Sequence, residues 1–74
     1  MKVTVKLFAW FREGRFREAP LAFADGATAA EIIASLGIDL DDVGVIMVNN
    51  RHADPGRCLE EGDILAVFPR IGGG

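Results

Sequence analysis

The sequence contains 74 residues, half of them hydrophobic, with a formal net charge of −3 and a single cysteine. This length allows one small domain with one core and excludes a division into several domains. The acidic balance argues against nucleic-acid binding, and the longest apolar runs are too short to cross a bilayer. A single cysteine excludes an internal disulfide framework and is typical of a reducing compartment. We therefore expect a cytoplasmic protein that binds neither nucleic acid nor a membrane.

The first segment alternates between apolar and polar side chains, which predicts a half-buried strand over residues 2–8. Its apolar side consists of Val3, Val5 and Leu7. The same alternation places Phe8 on the polar side, where a large aromatic ring is out of place. Residues 11–19 then predict a hairpin loop, and residues 20–24 predict a second short strand with Pro20 at its first position. The early basic residues could form a local patch, and they are Lys2, Lys6, Arg12, Arg15 and Arg17.

A capping-box sequence predicts where the main helix begins. In Thr28-Ala29-Ala30-Glu31 the Thr28 hydroxyl can accept from the Glu31 amide, and the Glu31 carboxylate can accept from the Thr28 amide. Gly37 predicts the end of this helix, since glycine readily adopts the left-handed conformation that follows a helix. An apolar stripe would pack the helix onto a sheet, and it consists of Ala29, Ile32, Ile33 and Leu36.

The second half of the chain predicts three strands separated by turns. Their ranges are 45–48, 51–53 and 64–68, and the first reads as a central strand covered on much of both faces. Asn49-Asn50 predicts a turn, because asparagine tolerates left-handed backbone. Leu59 is expected to fill the core beneath an acidic turn at residues 60–63. After these strands the sequence closes on Gly72-Gly73-Gly74.

The glycines predict a flexible tail over residues 70–74 that follows a folded domain of residues 1–69. Glycine has no side chain that could pack, and it loses more conformational entropy on ordering than any other residue. From the tail alone, two interpretations stay open. One is a frayed terminus, and the other is a thin arm whose terminal carboxylate is the reactive group.

The order of the predicted elements is that of the ubiquitin-like β-grasp, and three stretches resemble the ThiS/MoaD family of sulfur carriers. Residues 5–13 resemble the first strand and loop of the molybdopterin branch. Residues 59–69 resemble its leucine, Gly-Asp turn and final strand ending in Phe-Pro, and Gly73-Gly74 matches the tail of the whole family. Arg70 departs from the second proline that is usual in the molybdopterin carriers, and the triple glycine is closer to the thiamine carriers. The resemblance implies an α+β fold, with a mixed sheet of four to five strands packed on one main helix.

The resemblance also implies a function. An E1-like adenylating enzyme would use ATP to activate the carboxylate of Gly74, and a sulfur donor would convert it to a thiocarboxylate. The sulfur would then be used with the large subunit of molybdopterin synthase or with a thiazole synthase. The chain would not itself be an enzyme and would hold no permanent cofactor, since the partner supplies the catalytic groups. Gly72 and Gly73 would let the tail enter a narrow site, because a side chain would widen it.

A docking surface is expected as well, because binding must offset the entropy lost when the tail becomes ordered. If Leu65 and Val67 face inward on a last strand beside the first, Phe68 faces outward near Phe8. The expected docking patch is apolar with a basic rim, and it consists of Phe8, Phe68, Ile71, Arg12 and Arg70. The family resemblance agrees, since aromatic residues at the two phenylalanine positions contact its partners.

Two other functions stay open, namely a protein modifier joined through Gly74 to a lysine and a β-grasp interaction module with an idle tail. The remaining polar residues predict no catalytic or metal site. His52 lacks a second histidine or cysteine at metal-binding spacing, and Cys58 is expected to be a small, partly buried residue. The acidic residues are expected to be solvated, and they are Asp39, Asp41, Asp42, Glu60, Glu61 and Asp63. The turn at residues 60–63 could also add to binding if the docking surface of an activating enzyme is basic.

Overall fold

The structure is a computed structural model and describes residues 1–71. Across these residues the chain forms β1 (Lys2–Leu7), a first 3₁₀ helix (Ala9–Arg12), β2 (Glu18–Ala22), α1 (Ala29–Ser35), a second 3₁₀ helix (Leu40–Asp42), β3 (Val43–Val48), β4 (Arg51–His52) and β5 (Ile64–Pro69). The strands form one sheet in the order β2-β1-β5-β3-β4. β1 and β5 are parallel, and the other neighbours are antiparallel. The predicted mixed sheet packed on one main helix is confirmed.

One face of the sheet packs on α1 and forms the core. The strands contribute inward side chains at alternate positions, as predicted for Val3, Val5 and Leu7, and all three are 0% exposed. The helix contributes Ala29, Ile32 and Ile33, whereas Leu36 is only half-buried. Burial of each large aliphatic side chain stabilises the fold by about 1.5–3 kcal/mol. The helix depends on this packing, because seven residues are too few for a stable isolated helix.

Both predicted ends of α1 are confirmed. The Glu31 amide donates to the Thr28 hydroxyl at 3.2 Å, and the Thr28 amide donates to the Glu31 carboxylate at 2.9 Å. At the other end Gly37 has a φ of +77°, in the left-handed region. The carbonyls of this end accept hydrogen bonds from Arg15, whose Nε lies 2.9 Å from the Leu36 oxygen and whose Nη2 lies 3.1 Å from the Gly37 oxygen. Arg15 therefore stabilises the C-terminal end of α1 by donating to its carbonyl oxygens, and a cation there also complements the helix dipole.

The segment after β1 differs from the prediction. The strand ends at Leu7, and residues 9–12 form a 3₁₀ helix rather than the start of a loop. The reason is Phe11, which is 0% exposed and packs in the core, and whose ring lies edge-on to that of Trp10 at 4.6 Å. Burial of this ring requires the chain to turn inward just before a charged stretch. Trp10 itself is 47% exposed.

The second strand begins earlier than predicted, so Pro20 lies in its middle, opposite Thr4. The pairing explains why proline is tolerated there. Hydrogen bonds join Phe23 to Met1 and Leu7 to Arg17, and in an antiparallel pair every second residue is bonded in this way. Pro20 falls between the bonded positions on an edge strand, so its missing N–H group lies on the outer side of the sheet.

The predicted turn at Asn49-Asn50 is confirmed, since both residues have positive φ values of 52° and 67°. The expectation that Asp63 is solvated is wrong. Asp63 is 8% exposed, and its carboxylate accepts from the Asn49 side-chain amide at 2.9 Å and from the Glu60 amide at 2.8 Å. The Asn49 side-chain oxygen in turn accepts from the Ile64 amide at 2.9 Å. The Gly-Asp turn is therefore tied to the β3–β4 turn.

Two further expectations have clear outcomes. Leu59 fills the core as predicted, at 2% exposed. The expectation that Cys58 is partly buried is wrong, because its side chain is exposed. Cys58 lies in an isolated antiparallel bridge opposite Thr28, and this backbone pairing leaves the thiol outside the core.

Candidate functional site

The face of the sheet opposite α1 presents the two phenylalanines of the expected docking patch. β1 and β5 are parallel neighbours, and Leu65 and Val67 face the core at 0% exposed. Phe8 and Phe68 consequently lie on the open face, with 4.1 Å between ring centroids and 11° between ring planes. Both rings are half-buried. The predicted proximity of the rings is confirmed, and together they form one continuous apolar surface.

Arg12 is held beside these rings. Its guanidinium carbon lies 5.1 Å from the centroid of the Phe8 ring, a favourable cation–π geometry. Its Nε donates to the Leu7 carbonyl oxygen at 2.6 Å. The 3₁₀ helix of residues 9–12 thus places the Arg12 side chain beside Leu7, the last residue of β1. The terminal nitrogens of the guanidinium make no hydrogen bond with the part of the chain that the structure describes.

Beside Phe8 the surface carries several basic side chains around a small depression of about 160 Å³, and they are Lys6, Arg12 and Arg17, accompanied by Glu18. Within residues 1–71 none of these charged groups forms a salt bridge. Three of the early basic residues therefore lie together, as the sequence suggested. Arg15 does not belong to this cluster, because its guanidinium is bonded to carbonyls at the end of α1.

A groove continues the open face toward the end of β5. It encloses about 560 Å³ and is lined by Gly44, Val45, Met47, Phe68, Pro69, Arg70 and Ile71. Arg70 is exposed, and Ile71 is 96% exposed. The half-buried Val45 and Met47 were missed at the sequence level, because the apolar run of β3 suggested a strand covered on both faces. Their alternation with the buried Ile46 and Val48 was the available signal.

The end of β5 is fixed to the sheet where the tail begins. Pro69 pairs with Val43, and the Arg70 amide donates to the Asp42 carbonyl oxygen at 2.8 Å. Of the expected docking residues, the structure brings Phe8, Phe68 and Arg12 together, and it places Arg70 and Ile71 along the adjoining groove. The expected reactive and threading residues, Gly72, Gly73 and Gly74, lie outside the described residues.

Other parts of the described surface are weaker candidates for a functional site. A larger depression of about 690 Å³ is lined by His52, Ala53, Asp54, Gly56 and Arg57, none of which belongs to the patch. His52 is exposed, as expected. Between Met1 and Ile71 no group of three or more histidine, cysteine or acidic side chains could hold a metal ion. None of the helices in this range is long and apolar enough to cross a membrane.

Comparison with known proteins gives a consistent result. The sequence model of the ThiS family matches residues 5–74, whereas no curated protein sequence matches the chain. Among solved structures, the chain resembles one described as molybdopterin converting factor, subunit 1, of Pyrococcus furiosus, with 31% identity, a TM-score of 0.77 and coverage of 96% of this chain and 99% of that chain. It resembles SAMP1 of Haloferax volcanii with 25% identity, a TM-score of 0.75 and full coverage of both chains.

A third solved structure is a complex of subunits 1 and 2 of molybdopterin-converting factor from Helicobacter pylori. The likeness covers both chains completely, at 23% identity and a TM-score of 0.67. At this identity it supports the fold alone. Taken together, the matched structures confirm the ubiquitin-like β-grasp.

Proposed function

Because the chain belongs to the ThiS family, we propose that it is a sulfur carrier protein that acts through a thiocarboxylate on Gly74. The observation that supports this proposal is the family match, which extends through the glycine tail and over nearly the whole domain. Proteins of this kind are generally not catalysts and act with partner enzymes. The chain supplies the acyl group, and the partners supply the chemistry.

The proposed reaction has two steps at the Gly74 carboxyl group. In the first, a carboxylate oxygen attacks the α-phosphorus of ATP on an E1-like adenylating enzyme, and pyrophosphate leaves. In the second, sulfur from a donor at the oxidation level of sulfide attacks the acyl carbon, and AMP leaves. A carboxylate is a poor electrophile, so the adenylate is needed to provide the leaving group. No ionisable side chain of this protein takes part.

The tail and the open face have separate tasks in this proposal. Extended, residues 70–74 span at most about 17 Å, at about 3.5 Å per residue. That reach suits entry into a buried active site, and Gly72 and Gly73 keep the tail thin. The docking patch of Phe8, Phe68 and Ile71 would hold the partner, and a fully desolvated aromatic centre is a common arrangement in interfaces. Arg12 and Arg70 would form its polar rim.

For the pathway, we propose biosynthesis of a molybdopterin-type cofactor, with the large subunit of molybdopterin synthase as the final partner. The likeness to the Pyrococcus furiosus protein supports this choice, at 31% identity over almost the full length of both chains. Thiamine biosynthesis with a thiazole synthase is the alternative within the same family. The neighbouring genes would distinguish the two pathways by the synthase they encode.

A second candidate function is protein modification. It is favoured by the likeness to SAMP1, which is also described as a small archaeal modifier protein. In this case the same activated Gly74 would form an amide bond with a lysine amine, and AMP would leave. The two functions share the adenylation step and differ in the nucleophile that follows.

Incubation with ATP, the cognate adenylating enzyme and a sulfur donor tests the proposal by intact mass. We expect the protein mass to increase by the difference between sulfur and oxygen, and we expect deletion of Gly73-Gly74 to abolish the increase. Lysine adducts without the heavier species would favour the modifier. Absence of both products, together with unchanged function after the deletion, would favour an interaction module and contradict both activities.

A further inference from the structure

Gly44 lies against the backbone from which the tail departs. A Cβ atom at this position would lie 2.9 Å from the Pro69 carbonyl oxygen and 3.0 Å from the Arg70 Cα. Carbon atoms in favourable contact are about 3.5–4.0 Å apart. Both opposing atoms belong to the backbone, so a change of side-chain rotamer would not relieve the overlap. The backbone of β3 or of the tail would have to move.

The φ of Gly44 gives no other reason for glycine. Its φ lies outside the left-handed region, unlike those of Gly14, Gly26, Gly37 and Gly62. An ordinary residue could adopt the conformation of Gly44 if there were space for its side chain. Glycine within a strand often marks a point where another backbone approaches closely. The close approach is therefore the feature that requires glycine here.

The same region shows a register shift in the pairing of β3 with β5, between Val43 and Val45. On one side of this irregularity Val43 pairs with Pro69. One residue further on the same side, the Arg70 amide donates to the Asp42 carbonyl oxygen at 2.8 Å. The last paired residue of β5 and the first residue of the tail are thus both held against the start of β3. The extra residue at this shift is Gly44 on β3, and a bulge bends the strand that contains it.

We propose that Gly44 is a positioning residue, whose missing side chain fixes the direction in which the tail leaves the sheet. The inference rests on the proposed function, because the tail direction matters only if Gly74 must enter a partner's site. For a tail held extended in a partner's site, about 17 Å long, a rotation of about 10° at Arg70 would move its end by about 3 Å. The glycines could absorb such a rotation only by leaving the extended conformation. Misplacement of a reacting group by about 1 Å can lower a rate by about 100-fold.

The test compares Gly44→Ala with Gly56→Ala. A Cβ atom at Gly56 would have nothing but its own chain neighbours within 4 Å, and the φ of Gly56 is not left-handed, so the same substitution there meets open space. With the cognate adenylating enzyme, we expect Gly44→Ala to lower kcat for ATP–pyrophosphate exchange about tenfold or more. The KM for the carrier protein should stay within about twofold of the wild-type value. Gly56→Ala should match wild type. Equal kcat for Gly44→Ala and wild type, or an equal loss in both variants, would overturn the inference.

Hydrogen exchange gives a readout that needs no partner enzyme. In the wild type the Arg70 amide should exchange more slowly than the exposed Ile71 amide, and fast exchange of Arg70 would overturn the geometry. In Gly44→Ala the Arg70 amide should lose its protection while the Leu65 and Val67 amides keep theirs. Loss of protection throughout the chain would overturn the positioning role and make Gly44 a folding residue. If the wild type is not adenylated at all, the proposed function fails, whereas the exchange result still decides the geometry.

Discussion

The ring of Phe8 lies almost parallel to the ring of Phe68, at 4.1 Å between centroids. Each ring covers part of the other, so a partner would meet them as one surface. We expect Phe8→Ala and Phe68→Ala each to weaken binding to the adenylating enzyme about tenfold or more, since a central aromatic contact in an interface is often worth about 2 kcal/mol. The double variant should lose less than the product of the two effects. Isothermal titration calorimetry would measure the affinities of the single variants and of the double variant.

A matched control for these variants is Leu40→Ala. Leu40 is 41% exposed and lies on the second 3₁₀ helix, outside the docking patch. Its truncation should change the affinity by less than about twofold, because most surface contacts contribute little. Comparable losses for Leu40→Ala and the phenylalanine variants would contradict the assignment of the patch.

The capping box should make the free energy of unfolding depend on pH in the acid range. The Thr28 amide, and to a smaller extent its hydroxyl, donates to the Glu31 carboxylate, and both bonds hold the pKa of Glu31 below its usual value of 4.5. A carboxyl group whose pKa is lower in the folded state stabilises the fold above its unfolded-state pKa. This contribution disappears as the pH falls through the folded-state value. We therefore expect Glu31→Gln, which keeps the acceptor oxygen, to lose less stability than wild type on acidification below pH 4.5.

Urea unfolding measured at a series of pH values tests this expectation. The difference in unfolding free energy between wild type and Glu31→Gln should shrink as the pH falls below the ordinary range of glutamate. Parallel curves for the two proteins over the whole acid range would show that the hydrogen bonds do not favour the ionised form.

The buried carboxylate of Asp63 should be important for stability. Asp63→Ala leaves the Asn49 side-chain amide and the Glu60 backbone amide without their acceptor. We expect the free energy of unfolding to fall by about 1–3 kcal/mol, because hydrogen bonds to a charged group contribute about 1.5–3 kcal/mol and these two are partly buried. Chemical denaturation would measure the change. Glu60→Ala is the control, since it removes an exposed neighbouring acid and keeps the amide, and it should cost less than about 0.5 kcal/mol.

A lysine at position 15 should destabilise the end of α1. The Arg15 guanidinium donates to both Leu36 and Gly37 carbonyl oxygens, and an ammonium group lacks that planar geometry. We expect Arg15→Lys to cost about 1 kcal/mol and to lower Tm by about 4–8 °C in a domain of this size. Arg17→Lys is the matched control, because Arg17 is exposed and lies outside this contact. Equal Tm values for the two variants would contradict the role of Arg15.

The elements that sequence reasoning located correctly depend on local signals. The alternation of β1, the Thr28 to Glu31 capping box and the Asn49-Asn50 turn each involve residues within a few positions of one another. The open-face position of Phe8 followed from the same alternation. Its contact with Phe68 could be predicted because the inward parity of β5 and the resemblance to a known fold placed the two strands side by side.

The features that were missed depend on contacts between residues distant in sequence. Phe11 is buried although a charged stretch follows it and the predicted strand ended before it. Asp63 resembles any acidic turn residue until Asn49 is brought beside it by the pairing of β3 with β5. The close approach at Gly44 likewise involves Pro69 and Arg70, which are about 25 residues away in the chain. Such contacts follow from the register of the sheet, which the local pattern of side chains does not determine.

Pro20 has a consequence for how this protein behaves at high concentration. It lies in the middle of the edge strand β2, and its nitrogen, which carries no hydrogen, points away from β1. A second copy that aligned with this edge would find no donor at the central position of a five-residue strand. Proline on an edge strand is one of the ways in which natural sheets avoid joining edge to edge. The outer edge of β2 is thereby protected against aggregation, while the open face of the sheet stays accessible.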